Sequence, residues 1–148
     1  MNIYFDMDGT IADLYSQNNW QSDLENGYKK PYLNAKSLVN MRKFGKELNR
    51  LQNLGHKIGI ISWTSKSEND DYAVKVINAK LTWLKKHLST VKFNEIHIIK
   101  YGTPKYWYCK NSTDILFDDE KKNRDNWTGV AYDEKNILET LSQISYEA

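Results

Sequence analysis

Five short apolar runs and three amphipathic stretches alternate along the chain. The first run, residues 2–7 around Ile3-Tyr4-Phe5, predicts a buried strand that breaks at Gly9. Residues 57–62 (Lys-Ile-Gly-Ile-Ile-Ser), 94–100 around Ile96, Ile98 and Ile99, 114–118 (Asp-Ile-Leu-Phe-Asp) and 128–132 read as four more strands. Between them, Leu38, Met41, Phe44, Leu48 and Leu51 recur at helical steps and predict a helix over 37–54, stopped by Gly55. Ser65 and Glu68 have the spacing of a capping box for a second helix. Its inner face would carry Ala73, Ile77, Leu81, Leu84 and Leu88. Ile137, Leu138, Leu141 and Ile144 predict a last helix. Residues 13–36 show no period and read as irregular.

Strands alternating with helices imply βαβ units, a mainly parallel sheet and helices on both of its faces. The length of 148 residues fits one domain over 1–148, with 13–36 as a short insertion. With 40% hydrophobic and 27% charged residues the composition is that of a globular protein. No apolar run reaches the ~18 residues of a membrane span, and Met1–Asp6 does not resemble a signal peptide. Cys109 is the lone cysteine, which excludes an internal disulfide and suits the cytoplasm. The net charge of +2 conceals −3 over residues 1–35, +10 over 36–113 and −5 over 114–148. The basic middle suits either lysines on outer helix faces or nucleic-acid contact.

The acidic ends are more informative. Parallel α/β sheets bind ligands at the carboxyl ends of their strands. Strand one ends in Asp6-Met7-Asp8-Gly9-Thr10, strand two in Ser62-Trp63-Thr64-Ser65, and strand four in Asp118-Asp119-Glu120, while Lys105 follows strand three. Carboxylates gathered at one edge repel unless a cation neutralises them. An oxygen-only ligand set with no His or Cys cluster favours Mg²⁺. A carboxylate beside a metal and a loop of free N–H groups is suited to attack a phosphoryl group.

Asp6-Met7-Asp8-Gly9-Thr10 after an apolar strand resembles the first motif of the haloacid dehalogenase-like superfamily. Ser62 after Gly59-Ile60-Ile61 resembles the second motif, Lys105 the third, and Asp118-Asp119 after Ile115-Leu116-Phe117 the fourth. The resemblance implies a Rossmann-like sheet whose five strands, counted in chain order, lie 5-4-1-2-3. It implies Asp6 as nucleophile and Asp8 as general acid and base. Ser62, Trp63 and Lys105 would form the phosphate-binding set. Mg²⁺ would lie among Asp6, Asp8 (through its backbone carbonyl), Asp118 and Asp119. Lys100 and Lys110 are alternatives to Lys105, which is favoured because it follows Pro104 and stands 13 residues before Asp118. The run Asp114-Ile115-Leu116-Phe117-Asp118-Asp119-Glu120-Lys121-Lys122-Asn123, with Trp127 soon after, resembles the fourth motif of the deoxyribonucleotidase-like group and related small phage and bacterial phosphatases.

The insertion is too small to seal a substrate from water by itself. Either a large substrate forms part of its own lid, or a second subunit of an oligomer helps. Trp20, Tyr28, Tyr32, Trp63 and Tyr101 stand near the motifs and suit stacking of a nucleobase. The expected activity is Mg²⁺-dependent hydrolysis of a small phosphate monoester, with a nucleoside or deoxynucleoside monophosphate as leading substrate. The alternatives are removal of a terminal phosphate from DNA or RNA and a phosphoacceptor domain without turnover. Asp8 argues against the last, because a domain that keeps its phosphoryl group has little use for a second catalytic acid.

Overall fold

Strand β1 (Asn2–Phe5) is buried along its whole length, and its alternation divides the core in two. Ile3 and Phe5 face one layer, where Phe44, Leu48 and Leu51 of helix α3 (Met41–Asn53) meet Leu141 of α6 (Ile137–Ser142). Tyr4 faces the other, with Ile61, Leu116 and Trp127. The computed structural model describes residues 1–66 and 69–145.

Parallel pairing joins β1 to β4 (Lys57–Trp63) on one side and to β6 (Ile115–Phe117) on the other. Beyond them lie β5 (Glu95–Ile99) and β7 (Val130–Tyr132), so the order is β5-β4-β1-β6-β7. Counted along the chain, that is the 5-4-1-2-3 arrangement expected, all parallel, with helices flanking the sheet. Phe5 pairs with Ile60 and with Phe117, which brings the residues that follow β1, β4 and β6 to one edge. Among the described residues no helix is long and apolar enough to cross a membrane.

The insertion is more regular than its sequence suggests. It contains β2 (Ala12–Asp13), α1 (Trp20–Glu25), α2 (Lys30–Asn34) and β3 (Lys36–Ser37), with β2 and β3 paired antiparallel. Leu14, Leu24 and Tyr32 form a small core with Tyr72, Val76 and Ala79 of α4 (Asp70–His87). Because 36–37 belong to β3, helix α3 starts only at Met41 and Leu38 is exposed. The Asn40 side chain caps it by accepting the Lys43 N–H.

Helix α4 corrects two further expectations. Asn69 caps it in place of Ser65, accepting the Tyr72 N–H at 2.9 Å, and Glu68 lies outside the described residues. The buried face is Tyr72, Val76, Ala79, Lys80, Trp83 and Leu84, whereas Leu81 is exposed. The face is rotated from the predicted stripe because the insertion core recruits Tyr72, Val76 and Ala79. A short helix α5 (Lys121–Asn126), absent from the sequence reading, follows the acidic end of β6.

Candidate functional site

The chain leaves β1 at Asp6 and turns at once. Gly9 has φ +80°, and a Cβ there would collide with the Asp119 carboxylate. The N–H groups of Thr10, Ile11 and Ala12 all donate to the Met7 carbonyl, at 3.0, 3.0 and 2.9 Å. This tight loop sets Asp6 and Asp8 on different sides of one cavity floor.

Asp6 belongs to the first side. Its N–H donates to the Phe117 carbonyl at 2.9 Å, so Asp118, the next residue, is its neighbour. Lys105 comes from a 3₁₀ turn (Lys105–Tyr108) and is only 3% exposed. Its Nζ donates to Asp6 Oδ1 at 2.9 Å and to Asp118 Oδ2 at 2.7 Å. Lys100 is exposed, and Lys110 is turned away onto Glu95 at 2.6 Å. The Thr10 hydroxyl lies 3.0 Å from Asp6 Oδ2 and 3.2 Å from Asp119 Oδ1, and accepts the Asp119 N–H. Asn123 Nδ2 and the Glu120 N–H donate to Asp118. Thr10 and Asn123 had no role in the sequence reading, although both sit inside the motifs it used.

This side carries more negative charge than its lysine can offset. Burial pushes the Asp118 carboxyl up to about 6 and Asp119 up to about 8, with the Asp6 charge adding to both. Burial also raises Asp6, but Lys105 and a hydrogen bond shared with Asp119 outweigh it and hold Asp6 below the usual carboxylate range. Burial alone would lower Lys105; Asp6 and Asp118 raise it instead. Asp6, Asp118 and Asp119 each offer an oxygen, and these oxygens lie within 4.8 Å of one another. Three hard donors with unmet charge fit a divalent cation such as Mg²⁺. The Asp8 carboxylate is not in this cluster.

Asp8 belongs to the second side, organised by a residue the sequence reading missed. Lys80, 1% exposed, donates to Asp8 Oδ2 at 2.8 Å, to Ser62 Oγ at 2.7 Å and to the Trp63 carbonyl at 2.7 Å. Burial raises the Asp8 carboxyl above its ordinary range, with Lys80 opposing. The signal in the sequence was a lysine in phase with Tyr72, Val76 and Trp83, where an apolar residue is expected.

Above both sides opens a cavity of about 530 Å³ whose wall includes Trp20, Tyr32, Trp63, Thr64, Tyr101 and Lys105. Trp63 directs its indole N–H to the Thr103 carbonyl at 2.9 Å and packs 5.0 Å from Tyr101, with Lys105 Nζ 5.2 Å from its ring centre. Its polar hydrogen is therefore committed, and its ring is what it offers the cavity. Tyr28 is exposed and does not line the cavity. Ser62 is fully buried, while the Thr64 hydroxyl is buried without a hydrogen-bond partner among the described residues.

The sheet order and the loop after β1 define a Rossmann-like fold of the haloacid dehalogenase type. The chain is similar to D,D-heptose 1,7-bisphosphate phosphatase from Burkholderia thailandensis, at 11% identity and a TM-score of 0.53, over 86% of this chain and 74% of that one. It is also similar to a chain of the Pnkp1/Rnl/Hen1 complex, at 12% identity and a TM-score of 0.53. That match covers 90% of this chain but only 44% of the other. No protein-family model matches the sequence, and no curated protein matches it.

Proposed function

We propose that the chain is a Mg²⁺-dependent phosphomonoesterase acting through an aspartyl-phosphate on Asp6, with a nucleoside or deoxynucleoside monophosphate as its leading substrate. One observation carries this reading: Asp6 and Asp8 lie on one cavity floor with different partners, Lys105 and Thr10 for Asp6 and Lys80 for Asp8. Asp6 attacks phosphorus, the ester P–O bond breaks, and Asp8 gives its proton to the departing oxygen. Water then attacks the phosphorus of the acyl phosphate while Asp8 takes a proton from it, and inorganic phosphate leaves with Asp6 restored. Lys105 stabilises the spread phosphoryl charge, and at the end of β4 the hydroxyl of Thr64, on the cavity wall and without a partner among the described residues, donates to a phosphoryl oxygen, in place of Ser62, which is fully buried. Asp6, Asp118, Asp119 and the Asp8 carbonyl would hold Mg²⁺, which supplies further neutralisation of that charge.

The substrate class follows from the walls. Trp20 on the insertion, Trp63 at the end of β4 and Tyr101 after β5 give the cavity flat apolar surfaces suited to a base. Lys66 and Lys105 are the cations on the wall among the described residues, and Gln21, Glu25 and Ser65 are further polar groups beside the rings. A second reading, a terminal phosphate on DNA or RNA, is favoured by the outward side of the 3₁₀ turn. There Trp107 is 66% and Tyr106 41% exposed, next to the residue that reaches Asp6. In both readings the chain is a cytoplasmic single-domain hydrolase with 13–36 as its cap.

The test is kcat/KM in Mg²⁺ for nucleoside monophosphates, hexose phosphates and phosphorylated oligonucleotides. Nucleotides should exceed hexose phosphates by roughly 5- to 150-fold, the worth of stacking one base. Equal turnover of sugar phosphates would point to a general phosphatase, and a preference for oligonucleotides to the second reading.

A further inference from the structure

Lys80 is as buried as the apolar core around it, yet it carries a charge and three N–H donors. All three are spoken for, and each goes to an atom at the end of a central strand. One reaches Asp8, just past β1; the others reach Ser62 and the Trp63 carbonyl at the end of β4. No donor is left over for a substrate oxygen, so Lys80 does not serve as a phosphate ligand. Its hold on Asp8 is through Oδ2 alone.

The lysine also meets the insertion, its Nζ lying 5.1 Å from the centre of the Tyr32 ring. Burying a lone ammonium is costly, and a hydrophobic residue would fill the same stripe more stably. The geometry instead spends that cost at one place, the carboxylate that faces the cavity with Asp6.

We infer that Lys80 is a positioning residue for Asp8: it holds Oδ2 so that Oδ1 presents its proton to the ester oxygen, and Ser62 and the Trp63 carbonyl fix the lysine in turn. The inference rests on the phosphatase reading and adds to it the residue that aims the acid. Lys80 touches no reacting atom, so its effect on the departing oxygen passes through Asp8.

A double-substitution cycle tests this. The substitutions are Lys80→Met and Asp8→Asn, singly and together, and kcat/KM is measured because it reports the step up to breakage of the ester bond. Two substrates are compared: a nucleoside monophosphate, whose leaving oxygen needs a proton, and p-nitrophenyl phosphate, whose leaving group needs little help. Lys80→Met should lower kcat/KM for the nucleotide about 100-fold, the low end of general-acid effects, and for the aryl ester less than about tenfold. In the Asp8→Asn background the same substitution should cost less than about threefold, well short of the loss expected from independent groups. The double variant removes both buried charges together, which protects its folding. If Lys80→Met alone does not fold, comparison of the double variant with Asp8→Asn decides. Equal losses on both substrates, or a full further loss in the Asp8→Asn background, would overturn the role. Absence of turnover of any phosphate ester by the unaltered protein would overturn the phosphatase reading, and this role with it.

Discussion

Two buried lysines divide the site, and their surroundings differ in charge. Lys105 faces Asp6 and Asp118, with Asp119 beside them, so one cation meets three carboxylates. Lys80 faces Asp8 alone, one cation against one carboxyl group, and completes its set with a neutral hydroxyl and a carbonyl. The first half is underneutralised, and the raised carboxyls of Asp118 and Asp119 register that excess. The second half carries no excess of negative charge. An unbalanced cluster has use for a further cation; a balanced one has use only for being held still. Both halves share one floor, so the charge count separates the part that binds from the part that aims.

The largest contrast should come from neutralising each half in turn. Asp6→Asn is expected to abolish phosphatase turnover, at least the 10²–10⁴-fold of a lost catalytic group, while costing the metal-free protein less stability than Asp8→Asn, because Lys105 keeps Asp118 as a counter-charge. Asp8→Asn should instead leave Lys80 short of its counter-charge and destabilise the fold by about 1–3 kcal/mol. Residual activity of Asp6→Asn above about one hundredth would remove it as nucleophile. A lower melting temperature for Asp6→Asn than for Asp8→Asn would erase the contrast between the halves.

Mg²⁺ should act on the first half only. At a hundredfold excess over Kd it stabilises the folded state by about 2.7 kcal/mol, read as the difference between melts in Mg²⁺ and in EDTA. The gain should depend on pH. Asp119, raised to about 8, keeps a proton in the folded chain that the unfolded chain gives up near its ordinary value of 3.8. The metal-free protein therefore loses stability as pH rises from about 4 towards 8. Asp6, held low, acts in the opposite sense but only in more acid solution. The Mg²⁺ gain is expected to be larger at pH 8 than at pH 6, and a gain that shrinks over that range would count against this ligand set.

The smallest effect belongs to the wall. The ring of Trp63 is already partly covered by Tyr101 and Lys105. Trp63→Ala should thus lower the preference for a nucleotide over a hexose phosphate by roughly fivefold, the low end of base stacking. An unchanged ratio would take Trp63 out of substrate recognition and leave it as a support for Lys105.

The Lys105 half was legible in the sequence because its parts are local. Asp6 and Asp118 each end an apolar run, and strand pairing brings such ends together. Spacing favours Lys105 over Lys100 and Lys110, and the 3₁₀ turn is what points its side chain inward. Lys80 was not legible by the same route. It lies 72 residues from Asp8, in a stretch rich in lysines, and only the phase of its helix marks it. That phase was misread because Ile77 and Leu81 look like core, while the true stripe follows Tyr72, Val76 and Trp83. Helices α1 and α2, of six and five residues, are too short to stand alone and take their form from packing on α4. No periodicity in residues 13–36 could have announced them.

The central place of β1 bears on how the chain reaches this fold. The earliest of these five strands in the sequence is the one the finished sheet surrounds. Ile3 pairs with Ile58 and Ile115, so its neighbours come about two fifths and three quarters of the way along the sequence. Until then Ile3, Tyr4 and Phe5 have no sheet to join, and closing those long loops must precede the contacts that reward it. Folding is thereby expected to be late and concerted, with Asp6 and Asp118 meeting in the same event that completes the core.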